Sequence, residues 1–362
     1  MGRTGIPVSV SDIDPPWLTN VLRAHDLLSK EDEVESFDVE PVGLGVGQTG
    51  DSSRLKLCYA GQPQSGKAPD SVFAKFPTSD ATRRKAAQTM GLYQREVNCY
   101  ELLLKDLTVR APACYFSDCT AEGDQFALLL EDFPSHRPGD ETVGLTLEEA
   151  RLAVDLMTQL HGPYWGRMEQ VALPPLKMLP RNRYADGWDK MQEHFGDLIP
   201  ESITAVKSQF LDAVDPLQDW LISAPCTLGH GDLRLDNLLF NLGGRDPIVA
   251  VDWQAARPSR GVRDLEYLIA HSMDVENRRL HERDLLRLYV ERINGFGIKY
   301  SFEDAVEDYR RTLLFDFITV IHIIGVHFNT HERAVRRKRG LLTRATTAIL
   351  DWDALSLLPE FA

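Results

Sequence analysis

The chain has 362 residues, 43% apolar and 26% charged, enough for two lobes with real cores and ordinary for a globular protein. Its net charge of −14 argues against a nucleic-acid or anionic-membrane surface. Five cysteines, at 58, 99, 114, 119 and 226, lack the paired spacing of a zinc site and read as reduced thiols of a cytoplasmic protein.

Ser11–Trp17 has the form of a helix start, with prolines in the first turn and Trp17, Leu18, Val21 and Leu22 on one face; a lead helix is expected through about Leu28. Phe37–Val42 and Arg54–Ala60 read as strands. Between them Gly43–Ser53 is a glycine-rich loop in which Gly45, Gly47 and Gly50 would let backbone N–H groups approach a phosphate, although it has no Walker Lys-Ser/Thr ending. Such a loop is as often a hairpin with no ligand.

Ser71–Pro77 is an apolar strand interrupted by Lys75, and a lysine there needs a partner. Arg84–Lys105 is expected as one helix with Glu96 in its middle. Ala113–Asp118 and Gln125–Leu130 complete five strands, and Glu131-Asp-Phe-Pro134 breaks the pattern. The pattern therefore predicts an α+β chain with a five-stranded antiparallel sheet and one helix first and mostly helices after.

In the second lobe Thr146–His161 is amphipathic, with Thr146 and Glu149 at capping-box spacing. His161 at its end reads as a packing histidine, with a site role as the alternative. Helices are expected near Tyr184–Phe195 and Thr204–Ser223, and the acidic residues of this stretch read as solvated faces that could also draw in a cation. Further helices are expected over His281–Gly295, Phe302–Thr330 and Glu332–Leu355. The apolar run 312–328 is too polar at Asp316, His322 and His327 for a membrane span. Asp316 needs a partner in that helix, or else faces a substrate pocket.

The chemistry concentrates between Leu228 and Gln254. Asp232 is followed five residues later by Asn237. Leu238–Phe240 and Ile248–Val251 flank a turn, so a hairpin would bring Asp252 back beside both. An amide oxygen and carboxylates suit Mg²⁺, which is usually held by one or two carboxylates together with substrate phosphates. Asp232 is then left to accept a proton from an attacking hydroxyl.

His230-Gly-Asp-x4-Asn237 with Asp252-Trp-Gln254 resembles the aminoglycoside phosphotransferase and choline kinase superfamily, most closely its ecdysteroid-kinase-like branch and bacterial relatives. The resemblance implies a kinase-like bilobal fold, dividing here into two lobes, 1–133 and 134–362, with ATP and Mg²⁺ as cofactors and a small-molecule hydroxyl as acceptor. It implies Asp232 as catalytic residue, Asn237 and Asp252 on the metal, and Lys75 paired with Glu96 to hold phosphates. Leu130, Glu131 and Phe133 would border the adenine. Asp264 would buttress the catalytic loop, and an inserted helical part near 174–225 would shape the acceptor pocket. Asp-Trp-Gln lacks the glycine that lets the protein-kinase segment flip, so no such switch is expected. Tyr164, Trp165, Tyr184 and Trp188 would favour a bulky or apolar acceptor if they line the pocket, but they can equally be core. The other reading is a catalytically silent nucleotide-binding regulator on the same fold, a class that typically lacks one of Lys75, Glu96, Asp232, Asn237 and Asp252. No nucleic-acid or membrane partner is expected.

Overall fold

The computed structural model describes residues 6–42, 49–171, 173, 180–326 and 332–361. Gly45 and Gly47 lie outside the described residues. Helix α1 (Pro15–Ala24) starts at Asp14, whose carboxylate accepts the Trp17 N–H, and it buries Leu18 and Leu22. Strands β1 (Val34–Val42), β2 (Gly50–Tyr59), β3 (Ser71–Pro77), β4 (Cys114–Cys119) and β5 (Phe126–Glu131) form one sheet in the order β1-β2-β3-β5-β4, with every neighbouring pair antiparallel. The expected five-stranded sheet is present.

The two-residue period of β5 divides the sheet's packing. Ala127 and Leu129 face α1 with Leu55, Val72, Ala74 and Phe76. Phe126, Leu128 and Leu130 face the other way and join a core that runs through the whole second lobe. β3 is central and covered on both faces, which is why it reads as a continuous apolar run around Lys75.

The single helix expected over Arg84–Lys105 is instead broken. α2 (Ala81–Met90) ends at Gly91, which takes the left-handed conformation (φ 67°), and α3 (Leu92–Asn98) restarts there before a π turn at Cys99–Leu103. Helical periodicity does not register one residue at positive φ, and only glycine adopts it without strain.

In the second lobe, β6 (Arg137–Pro138) precedes α4 (Leu147–Tyr164), which has the expected capping box of Thr146 and Glu149. α5 (Arg181–Phe195) follows. The helix expected over Thr204–Ser223 is three short ones, α6 (Glu201–Thr204), α7 (Lys207–Asp212) and α8 (Val214–Ile222). Pro216 has no N–H to give the Asp212 carbonyl, so a continuous helix stops there. Short strands β7 (Thr227–Gly229), β8 (Leu238–Phe240), β9 (Ile248–Ala250) and β10 (Arg257–Ser259) frame the motif region, with β8 and β9 antiparallel and β6 beside β8. Four long helices follow: α9 (Val262–Ser272), α10 (Val275–Asn294), α11 (Phe302–Ile321) and α12 (Glu332–Asp351).

Two open readings close here. Tyr184 and Trp188 are buried, Trp188 packing its ring on Phe210 and Phe317, so they are core. Asp316 is buried beside His271, with Arg263 3.8 Å away, and faces the packed interior between α9 and α11. Among the acidic residues of 181–222, Asp189 pairs with Lys207, Asp197 with Arg339 and Asp212 with Arg181, all at the surface. No helix among the described residues is long and apolar enough to cross a membrane.

Candidate active site

The β8–β9 hairpin does what the spacing predicts. Val251 N donates to Asn237 O at 3.0 Å, so the end of β9 lies against the end of the 230–237 loop. The loop itself is tightly determined. Gly231 has φ 81°, and a Cβ there would fall 2.1 Å from Ala255 O, so no other residue fits. Asp264, at the start of α9, accepts His230 N at 2.6 Å and Gly231 N at 3.1 Å. His161 closes on the same carboxylate (Nε2 to Oδ2 3.2 Å) and is itself met by the Tyr289 hydroxyl at 2.9 Å. Arg263 donates to Gly231 O at 2.6 Å. Burial alone would raise the Asp264 carboxyl, but His161, Arg263 and His230 hold it well below the usual carboxylate range. His161 therefore has the packing role, and Asp264 has the buttressing one.

His230 is fully buried, its Nε2 donating to Val251 O at 3.1 Å and its ring against Trp253. Burial pushes its pKa down, so the ring is neutral and structural.

Asp232 is only partly covered. Its Oδ1 accepts the Tyr267 hydroxyl at 3.0 Å, its Oδ2 accepts Asn237 Nδ2 at 3.2 Å, and Arg234 Nε stands 3.6 Å from Oδ2. Asn237 Nδ2 also donates to Asp232 O at 2.8 Å, which leaves the amide oxygen as the atom able to ligate a cation. Asp252 takes left-handed backbone angles (φ 67°, ψ 64°), rare for a non-glycine and typical of residues whose position is imposed by a site.

Across the cleft, Lys75 Nζ lies 2.8 and 2.7 Å from the two Glu96 oxygens and 2.7 Å from Asp252 Oδ1. The expected Lys75–Glu96 pair thus exists, and it extends to the second lobe. Burial works against the Lys75 charge, but the two carboxylates outweigh it and raise its pKa. Burial pushes Glu96 up, against the pull of Lys75, while Lys75 draws Asp252 down despite burial. Gly50 sits over the lysine: a Cβ there would meet Phe76 O at 3.0 Å and Lys75 Cε at 3.3 Å.

Among the adenine-side candidates, Leu130 and Phe133 are buried, and the Arg110 guanidinium lies 4.7 Å from the Phe133 ring centre. Glu131 commits its carboxylate to Arg110 (2.6 and 2.8 Å) and to the Ala113 N–H (3.1 Å), and its own N–H to Ala113 O.

The donor set fits Mg²⁺. Asp252 offers a carboxylate and Asn237 an amide oxygen, with Asp232 beside them. Among the described residues no group of three or more His, Cys, Asp or Glu could hold a metal ion.

Three residues of this arrangement are not singled out by the sequence. Tyr267 lies three positions after Asp264, a spacing that puts both on one face of α9, and that is the signal that could have found it. Arg234 sits inside the motif, where attention goes to the acids. Gln254 accepts the Thr49 hydroxyl at 2.7 Å and donates to Asp252 Oδ2 at 3.1 Å, joining the end of the glycine-rich loop to the second lobe.

Comparison with known proteins agrees with this geometry. Residues 178–296, which contain the whole motif, match the Ecdysteroid kinase-like family. No curated protein matches the chain by sequence. Among solved structures, the microcompartment-associated aminopropanol kinase superposes with a TM-score of 0.54 at 14% identity, covering 93% of this chain and 99% of that one. LicA in complex with AMP does so with a TM-score of 0.50 at 18% identity, covering 93% and 98%. The fold is that of the protein-kinase-like small-molecule kinases, and the family match falls on the segment where the sequence resemblance was drawn.

Proposed function

We propose that the chain is an ATP- and Mg²⁺-dependent phosphotransferase that moves the γ-phosphoryl group to a hydroxyl of a small molecule. The observation that carries this is the Lys75 ammonium joined at once to Glu96 and Asp252, with Asp232 and Asn237 hydrogen-bonded to each other next to it. Residues 1–133 hold the nucleotide, and 134–362 supply the reacting loop and the acceptor pocket.

Lys75 aligns the phosphates, held in place by Glu96. Gly50 lets backbone close over them. Leu130, Glu131 and Phe133 border the base. Asn237 and Asp252 would hold the Mg²⁺, which would supply positive charge against the transferring group. Asp232 orients the acceptor hydroxyl and takes its proton as the acceptor oxygen bonds to the γ-phosphorus and the bond to the ADP oxygen breaks. The proton then leaves to solvent. A loose transition state asks little of the base, so alignment and charge carry most of the rate.

The test is Mg²⁺-dependent ATP consumption with a panel of alcohols, with Asp232→Asn beside the wild type. Asp232→Asn should keep nucleotide-dependent thermal stabilisation and lose turnover. Turnover at the wild-type rate in that variant would remove Asp232 from its role. Stabilisation by Mg·ATP with no transfer to any acceptor would select the silent regulator instead.

A further inference from the structure

The acceptor side of this site can be read from a cavity that the motif does not describe. A pocket of about 770 Å³ opens against α12, bordered by Glu141, Thr142, Arg336, Arg337 and Arg344. Its size suits a metabolite. Its wall is tied to the reacting loop through a chain of charges. Arg234 stands 3.6 Å from Asp232 and 3.8 Å from Glu141, and Arg337 Nε donates to Glu141 at 2.5 Å. Arg337 also reaches within 3.6 Å of Asp236.

The carboxylates here already have partners. Glu141 lies between two guanidinium groups, and although burial opposes it, Arg337 and Arg234 hold its pKa below the ordinary value. Arg336 pairs with Glu332 at 3.0 Å. Arg344 differs. Among the described residues it makes no salt bridge, the Glu141 carboxylate acting on its charge only from farther off, and its Nε is buried without a hydrogen bond. Arg336, Gly340 and Arg344 are spaced four apart along α12 and so share one face. A Cβ at Gly340 would come within 3.2 Å of an Arg344 guanidinium nitrogen, so the glycine leaves that group its space.

Resting on the phosphotransferase reading above, we propose that the acceptor is an alcohol that also carries a carboxylate or phosphate, and that Arg344 binds this anionic group. A cationic acceptor would meet a guanidinium that has no salt bridge and would have to draw Glu141 away from Arg234 and Arg337. An anionic acceptor supplies the missing partner and disturbs none of the existing pairs. Guanidinium groups match both anions by paired hydrogen bonds.

The experiment incubates the full chain with Mg²⁺, γ-labelled ATP and a small-molecule extract split by ion exchange into anionic, neutral and cationic fractions. Label should pass to a compound of the anionic fraction and not in Asp232→Asn. With that compound, Arg344→Ala should raise the half-saturating concentration at least about tenfold while kcat stays within about threefold, and Arg344→Lys should recover part of the loss. The wild type alone should show half-saturation rising with KCl, as for an attraction between opposite charges. Label transferred only to a neutral or cationic compound, or half-saturation indifferent both to Arg344→Ala and to salt, overturns the proposal and leaves the kinase reading standing. No transfer from any fraction overturns the kinase reading and this one with it.

Discussion

Tyr267 donates its hydroxyl to Asp232 Oδ1 at 3.0 Å, from a helix whose first turn carries Asp264, the residue that anchors the same loop. One rigid element thus sets both the backbone of the 230–232 segment and the direction of its carboxylate. Tyr267→Phe removes one hydrogen bond to a charged group, about 1.5–3 kcal/mol. If Asp232 must face the acceptor hydroxyl, that loss appears in kcat, about ten- to a hundredfold, with KM for Mg·ATP unchanged. Steady-state kinetics with ATP and acceptor varied separately checks it. A Tyr267→Phe enzyme with wild-type kcat would mean that Asn237 and Arg234 suffice to orient Asp232.

Lys75 makes salt bridges to Glu96 and Asp252 at once. Lys75→Met leaves Glu96 buried and unpaired, and losing one partner of a buried pair costs about 3–5 kcal/mol. The thermal midpoint should fall. Adding Glu96→Gln in the same chain should restore much of it, because the uncompensated charge is gone, while turnover stays absent. Calorimetry on the single and double variants separates the structural part of the lysine's role from the catalytic part.

Asp264 predicts a pH dependence. Its folded pKa is depressed, so it stabilises the fold above the unfolded value of about 3.9, and that contribution is lost as pH falls through the folded value. Asp264→Asn should therefore cost about 1.5–3 kcal/mol at pH 7, and the gap between variant and wild type should narrow below about pH 4. Denaturant midpoints at several pH values measure it. A gap of constant size down to pH 2 would show that the charge of Asp264 contributes nothing.

Gln254 links Thr49 to Asp252, and the Tyr93 hydroxyl donates to Thr49 O at 2.6 Å. Gln254→Ala frees that end of the glycine-rich loop. The loss of a bond worth about 1 kcal/mol should raise KM for Mg·ATP about fivefold and leave acceptor KM alone. Initial-rate measurements against each substrate decide it.

What the sequence makes legible follows from the range of the interactions. The sheet and the hairpin depend on local periodicity, and Lys75 stands out as a lysine placed where only a partner could keep it, while Glu96 as that partner comes from the family resemblance. The buttressing role of Asp264 is legible only through the family resemblance, because His161, which meets it and Tyr289, lies 103 and 128 residues before them. The broken helices at Gly91 and before Pro216 escaped a reading of apolar spacing, since one left-handed residue or one missing N–H leaves that spacing intact. The Arg344 pocket escaped because a run of arginines on a helix looks like any solvated face until Gly340 and Glu141 are seen beside it.

The helix that carries Glu96 has its apolar side chains in the large lobe's core, and Arg95 donates to Ala256 O at 2.9 Å. It is therefore bolted to the floor of the cleft. In a protein so built, the Lys75–Glu96 contact cannot be withdrawn by swinging that helix outward, and the chain has no resting posture reached by that route. Amide exchange in 92–98 should be as slow as in 262–272 whether or not nucleotide is present. How much product is made would then follow the supply of acceptor, as with a tap that has no handle of its own.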